Sequence, residues 1–227
     1  MKLIIIIPAY NEEEAIIQVV GESLKYSEVL VIDDGSQDDT ALLAKNAGAV
    51  VISHPHNLGK GAALKTGIRY ARDHDYETMV FIDGDGQHDP HLIPLLSSKV
   101  NGNDLVIGSR FKGGSPPYMP LQRRISNQFT TFIISKLTGY SLTDSQSGFR
   151  ALSSTAGNIF LNIGYNDYIF ESEMLYMAYK NNLKLEEVNI ACYYGEEKSY
   201  VTSKHALKYL FFVIKRILRK FRRRVFV

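Results

Sequence analysis

Met79-Val80-Phe81-Ile82-Asp83-Gly84-Asp85-Gly86-Gln87-His88 is the stretch from which the fold of this 227-residue chain can be read. Its first four residues form an apolar run of the kind found in a strand covered on both faces. Two carboxylates follow where that strand ends, and a glycine after each lets the backbone turn sharply. Hard oxygen donors in such a place suit Mg2+ or Mn2+, which bridge one or two carboxylates to a substrate diphosphate. Taken alone, an Asp-Gly-Asp is more often just an acidic turn. Its neighbours along the chain decide the matter.

Working outward, short apolar runs alternate with helical patterns. Leu3–Ile7 reads as a strand stopped by Pro8, and Glu12–Lys25 as a helix with Asn11 as its N-cap. Glu28–Ile32 is a second strand, Asp38 or Asp39 caps a helix through Ala47, and Ala49–Ser53 is a third strand. Lys60–His74 is helical, Glu77–Ile82 is the strand before the aspartates, His91–Lys99 is helical and Asp104–Gly108 is a strand. This rhythm predicts an α/β fold with a mostly parallel sheet flanked by helices. Ligands of such sheets sit beyond the carboxyl ends of the strands. Pro8-Ala9-Tyr10-Asn11, Asp33-Asp34-Gly35-Ser36 and Asp83–His88 all fall at strand ends, so they are expected around one crevice. Farther on come a loop at Gly113-Gly114-Ser115-Pro116-Pro117, a helix at Leu121–Leu137 and a polar loop at Thr143–Arg150. A helix at Phe170–Lys180 and a strand at Leu183–Ala191 complete the body, and no repeat is present.

Hydrophobic residues at 45% and charged residues at 22% are ordinary for a globular protein. The one cysteine, Cys192, excludes an internal disulfide and fits a reducing compartment. The apolar start is too short for a signal peptide, and no run of apolar residues is long enough to span a bilayer. The net charge of +2 hides an asymmetry: from Val201 onward there are nine Lys or Arg and no acidic residue, so the first 200 residues are net acidic. Leu207, Leu210, Phe211, Ile214, Leu218, Phe221 and Val225 recur at helical spacing beside Lys208, Lys215, Arg219 and Arg222. Residues 1–200 are therefore expected to form the globular domain, and 201–227 an amphipathic basic helix that lies on an anionic membrane surface through residues 204–227. Packing on the body, or between copies in a homo-oligomer, is the alternative for that stripe. A nucleic-acid partner is disfavoured by the acidic body and the lack of a recognition motif.

Pro8-Ala9-Tyr10-Asn11-Glu12, Val31-Ile32-Asp33-Asp34-Gly35-Ser36 with Asp39-Thr40, and Asp83-Gly84-Asp85 together resemble the family 2 glycosyltransferases of GT-A fold. Asn57-Leu58-Gly59-Lys60-Gly61, Gly108-Ser109-Arg110 and Thr143–Arg150 narrow the likeness to the dolichol-phosphate mannose synthase and polyprenyl-phosphate glycosyltransferase branch. The resemblance implies an inverting, metal-dependent transfer of mannose or glucose from a nucleotide sugar such as GDP-mannose or UDP-glucose to polyprenyl (dolichyl-type) phosphate. It places the enzyme peripherally on the cytoplasmic face of a membrane. It assigns nucleotide-sugar binding to Pro8, Tyr10, Glu12, Ile32, Asp34, Lys60, Asp83, Gly84, Asp85 and Lys198. It gives the metal, Mg2+ or Mn2+, to Asp83, Asp85 and Gln87. The acceptor phosphate falls to Arg110, Arg123 and Ser126, with Asp85, Arg110 and Arg123 catalytic. The Gly59-Lys60-Gly61 turn resembles an anion-binding helix entry without the full P-loop pattern. Tyr194–Ser199 resembles a Tyr-Gly-Glu-Ser-Lys segment of the synthases with one residue changed, and Cys192 stands where the family has an arginine.

A phosphate monoester acceptor is already anionic near neutral pH, with a second pKa of about 6, so it needs positioning and charge neutralisation rather than a base. Transfer to a hydroxyl, the alternative reaction, would need a base, for which Asp144, Glu171 and Glu173 are the candidates. A sugar-nucleotide or membrane-binding module without turnover is a third reading, against which intact Asp83, Asp85 and Gln87 argue.

Overall fold

The computed structural model describes residues 2–114, 119–192 and 208–218. Seven strands form one sheet in the order β3-β2-β1-β4-β6-β5-β7. The chain runs β1 (Leu3–Ala9), α1 (Ile16–Ser23), β2 (Glu28–Asp33), α2 (Thr40–Asn46), β3 (Val50–Ser53), α3 (Lys60–Asp73) and β4 (Thr78–Phe81). It continues through α4 (Ile93–Lys99), β5 (Leu105–Ser109), α5 (Leu121–Thr138), β6 (Arg150–Ser153), α6 (Ser154–Phe160), α7 (Ile169–Lys180) and β7 (Leu185–Asn189). A last helix, α8, covers residues 208–218. Every strand pairing is parallel except those of β6, which runs against both β4 and β5.

The period of two in β1 and β2 builds both faces of the core. Ile4, Ile6, Leu30 and Ile32 point into a cluster with Leu64, Ile68, Phe160, Phe170 and Met174 of α3, α6 and α7. Ile5, Ile7, Val29 and Val31 point the other way, onto Ile16, Val20, Ile93 and Leu96 of α1 and α4. Each such side chain, fully withdrawn from water, contributes about 1.5–3 kcal/mol. These buried strands explain why the sequence shows continuous apolar runs and not alternation.

The structure corrects several expectations. Pro8 does not stop the first strand, which runs to Ala9 with Pro8 in register with Ile32. Ala9 O accepts from Asp34 N, so the nitrogen of Pro8, one residue earlier, faces the β4 side, where pairing ends at Phe81. A missing N–H costs nothing there. Asn11 is not a helix cap. It sits in the left-handed region at φ 55°, Ser36 Oγ accepts from its N–H, its Oδ1 accepts from Gln37 N, and α1 begins only at Ile16. The supposed loop through Arg150 ends in a strand, β6, followed by α6. Both are too short and too mixed in character to announce themselves in the sequence.

This topology positions the site. The carboxyl ends of β1, β2, β4 and β5 meet at one edge of the sheet. Because β6 is reversed, its amino end, and with it the 143–149 loop, arrives at that same edge.

Candidate active site

A cavity beyond this edge is lined by Lys60, Asp83, Asp85, Gln87, His88, Arg110, Arg123, Gln146, Gly148, Tyr168 and Glu171. Asp83 and Asp85 follow β4, whose apolar residues are buried while both aspartates remain partly accessible. Asp85 Oδ1 accepts from Gln87 N at 3.0 Å, which closes the turn. Lys60, the first residue of α3, reaches Asp83 Oδ1 at 2.7 Å and Glu171 Oε1 at 3.0 Å. Burial works against its ammonium, yet the two carboxylates hold its pKa above the ordinary lysine value. Burial likewise opposes ionisation of Asp83, and Lys60 and its neighbours outweigh it, so its pKa lies below the ordinary carboxylate value. Both groups are charged at neutral pH. Burial pushes the His88 imidazole down to about 4 against the pull of Asp83, and its Nδ1 has no hydrogen-bond partner among the described residues.

The carboxylates sit in a close cradle. A Cβ on Gly148 would lie 2.4 Å from Asp83 Oδ2 and 2.7 Å from Lys60 Nζ, so a side chain there would force the paired carboxylate and ammonium to shift. The loop is fastened from beneath. Arg150, fully buried, donates from Nε to Ser147 O, from Nη2 to Ser145 O and from Nη1 to Glu171 O. One guanidinium thus ties the loop to α7. Glu187 on β7 accepts from Thr143 N, Thr143 Oγ1 and Asp144 N.

The donor set fits a hard divalent cation. Among the described residues no three His, Cys, Asp or Glu side chains form a metal cage. Two carboxylates with a side-chain amide oxygen from Gln87 suit Mg2+ or Mn2+, which keep waters and take substrate phosphates as their remaining ligands. They do not suit a closed zinc site.

The other expected site residues fall in different places. Pro8 and Ile32 are buried strand residues, while Tyr10 is exposed and Glu12 half-buried at the β1 end. Asp34 is buried with its carboxylate already engaged: it accepts from Leu58 N at 3.0 Å and Gly59 N at 2.7 Å and pairs with His54 Nδ1 at 2.7 Å. The anion at the Gly59-Lys60-Gly61 turn is therefore the protein's own, and Asn166 O takes Gly61 N at 2.7 Å. Arg110 reaches the cavity, but its Nε and Nη2 fork onto Asp144 at 2.7 and 2.9 Å. Asp144 is fully buried and also accepts from Asn127 Nδ2, so it braces Arg110 against α5 and is shielded from any substrate hydroxyl. Glu173 is buried against Arg216. Of the three possible bases only Glu171 lines the cavity, with Lys60 on its carboxylate. Arg123 lines the cavity, whereas Ser126 is exposed on α5 outside it. Lys198 and the whole Tyr194–Ser199 segment lie outside the described residues, as do Leu207, Arg219, Phe221, Arg222 and Val225 of the tail.

Gln146 and Tyr168 line the cavity without having been singled out. Gln146 lies inside the Thr143–Arg150 segment that carries the family resemblance, which assigns it no role, and nothing in the local sequence marks Tyr168, which precedes α7. The sequence placed a helix at Phe170–Lys180, within one residue of α7, but not the way its first turn faces Lys60.

A mostly parallel sheet with paired aspartates at its carboxyl edge, backed by cations, is the arrangement expected of a GT-A glycosyltransferase. The backbone superposes on glucosyl-3-phosphoglycerate synthase from Mycobacterium tuberculosis in complex with UDP with a TM-score of 0.75, at 21% identity, covering 95% of this chain and 79% of that one. Another structure of that enzyme contains Mn2+, UDP and glucosyl-3-phosphoglycerate. The chain belongs to glycosyl transferase family 2, whose sequence profile matches residues 4–157. It is 35% identical over 215 residues to the UDP-N-acetylglucosamine–dolichyl-phosphate N-acetylglucosaminyltransferase of Methanococcus voltae, covering 85% of this chain and 86% of the relative. It is 31% identical over 201 residues to the undecaprenyl-phosphate mannosyltransferase of Micrococcus luteus, covering 84% and 83%.

Proposed function

We propose that this glycosyltransferase moves a hexose, or an N-acetylated hexosamine, from a nucleotide sugar to a polyprenyl phosphate at the cytoplasmic face of a membrane. The observation that carries the reading is the convergence of Asp83, Asp85, Gln87 and Lys60 with Arg110 and Arg123 on one cavity. Relatives that share over four-fifths of the chain are named for polyprenyl-phosphate acceptors. The hexosamine enters on the Methanococcus voltae relative; mannose and glucose stay as the other donors.

The chain's own residues divide the work. A divalent ion held by Asp83, Asp85 and Gln87 supplies charge neutralisation to the departing diphosphate. Lys60, fixed between two carboxylates, places a permanent cation beside that charge. Arg123, at the start of α5, is set to meet the acceptor phosphate as a planar bidentate donor. Arg110, forked onto Asp144, holds the floor of the cavity and adds its charge at short range. The phosphate oxygen attacks without surrendering a proton, so no general base is required. That agrees with a cavity whose one carboxylate outside the Asp83–Asp85 pair among the described residues, Glu171, is engaged by Lys60.

α5 and α8 supply the membrane side of the proposal. Leu121, Ile125, Phe129 and Phe132 form one stripe along α5, each between 56% and 67% exposed. Leu210, Phe211, Ile214 and Leu218 are exposed on α8, and no described helix is long and apolar enough to cross a membrane. Arg123 lies on the same helix as the first stripe but on its opposite, cavity-facing side.

Purified protein with Mn2+ and radiolabelled GDP-mannose, UDP-glucose or UDP-N-acetylglucosamine is expected to label polyprenyl phosphate with one of the three. The product is extracted into organic solvent. Label in a hydrophilic glycan, with none in lipid, would overturn the acceptor.

A further inference from the structure

Within residues 144–150 every side chain is buried except that of Gln146, which is half-buried on the cavity wall. Its amide nitrogen is committed on both sides. Nε2 donates to Ser145 Oγ at 3.2 Å and to Ser172 Oγ at 3.1 Å. Each serine is itself held: Thr131 of α5 donates to Ser145 Oγ at 3.0 Å, and Tyr209 of α8 pairs with Ser172 Oγ at 3.3 Å. The amide is gripped between the two helices that carry the exposed apolar stripes. The residue lines the cavity, and with Nε2 committed its carbonyl oxygen is an acceptor with no partner among the described residues.

An acceptor oxygen beside Asp83 and Glu171 has a narrow choice of ligands. Ionised diphosphates and phosphate monoesters carry no hydrogen to donate near neutral pH. The donors that a nucleotide sugar brings are base N–H groups, ribose hydroxyls and the hydroxyls of the transferred sugar. Base and ribose belong to the β1–β2 end by the reading given above, whereas the sugar is joined to the diphosphate that Asp83 and Asp85 serve. We infer that Gln146 Oε1 accepts a hydrogen bond from a hydroxyl of the transferred sugar and so helps to select the donor hexose. Ser145 and Ser172 are its positioning residues, and Tyr209 brings α8 into the same arrangement. The inference rests on the nucleotide-sugar reading of the cavity. A polar pocket group that a substrate hydroxyl satisfies discriminates strongly against analogues lacking that hydroxyl, because the group is then left unpaired.

The test pairs protein variants with deoxy sugars. With the nucleotide sugar that turns over in the wild type, affinities are measured by titration calorimetry in the presence of Mn2+ for that donor, for its parent nucleoside diphosphate and for each monodeoxy form of the donor. In the wild type, one deoxy form is expected to bind about tenfold more weakly than the parent donor. In Gln146→Met that same deoxy form and the parent donor should bind equally, with nucleoside diphosphate affinity within twofold of wild type. Ser172→Ala, which leaves Oε1 in place but removes an anchor of the amide, should weaken the donor several-fold and leave the nucleoside diphosphate unaffected. If every deoxy form loses as much in Gln146→Met as in the wild type, or if the variants weaken the sugar-free diphosphate just as strongly, Gln146 does not read the sugar. A wild type that takes no nucleotide sugar at all would overturn the underlying reading, a result distinct from either of these.

Discussion

At the scale of single residues, the site depends on groups that exclude one another's alternatives. Gly148 is the clearest case, because a side chain there would force the Asp83 carboxylate and the Lys60 ammonium to shift. Gly148→Ala is expected to displace the Asp83 carboxylate from Lys60 and from its place in the proposed cation site. A misplacement of about 1 Å at a reacting centre costs roughly 100-fold in rate, so turnover should fall by at least that order. The loop's other fastenings, Arg150 and Glu187, are untouched, and the variant should keep a cooperative thermal transition. Calorimetry together with Mn2+-dependent turnover checks this, and wild-type turnover would show that the loop does not set Asp83. Much of this residue-level picture is legible in the sequence. Asp83, Asp85, Gln87 and Lys60 stand at a strand end or a helix start, where backbone geometry fixes direction, and the cavity holds all four. Asp34 and Arg110 were harder to read, because the partners that engage them, Gly59 N and Asp144, are brought in by folding from 25 and 34 residues away.

At the scale of elements, α7 is the part on which the others depend. Its first turn carries Glu171 to Lys60, Glu171 O accepts from Arg150, and Ser172 holds Gln146. Its next residue, Glu173, receives a two-pronged contact from Arg216 of α8, whose guanidinium also lies 4.9 Å from the Tyr176 ring. Both members of this pair are buried. Removing one partner of such a pair leaves an uncompensated charge in the interior and costs about 3–5 kcal/mol. Arg216→Met should therefore lower the unfolding midpoint in urea, and Arg216→Met combined with Glu173→Gln should recover most of the loss. Equal destabilisation in the single and double variants would mean that the ion pair is not what fastens α8. The regular elements were readable wherever the apolar period was long, as in α3, α5 and the first four strands. β6 and α6 were not, because RALS and STAGNIF mix small and polar residues where the equally short β3, β4, α2 and α4 carry apolar runs. Nor does a sequence say that one face of α8, through Phe212, Val213 and Arg216, joins the core while the face predicted to be apolar stays outside.

For the whole molecule, this division of α8 decides how the proposed membrane contact is tested. Phe212 belongs to the main core cluster, so deleting the tail would remove core as well as surface and could not isolate lipid binding. The exposed stripes on α5 and α8 can be altered separately, since Phe129, Phe132, Phe211 and Leu218 bury little against the body. Two forces act on such a surface and salt separates them. Attraction of Lys and Arg to anionic headgroups is worth about 1 kcal/mol per residue and fades within a Debye length of about 8 Å at physiological ionic strength. Burial of a large apolar side chain is worth about 1.5–3 kcal/mol and is not screened. Wild-type protein should thus bind vesicles of phosphatidylglycerol and phosphatidylcholine at low salt and keep part of that binding in concentrated salt. Phe129→Glu with Phe132→Glu should remove the salt-resistant part by a factor of ten or more, on the order of the transfer energy of the two rings. It should leave transfer to a short, water-soluble polyprenyl phosphate unchanged, because neither ring lines the cavity. Salt-resistant binding equal to wild type would assign the α5 stripe to something other than lipid, and loss of transfer to the soluble acceptor would place it in the site itself.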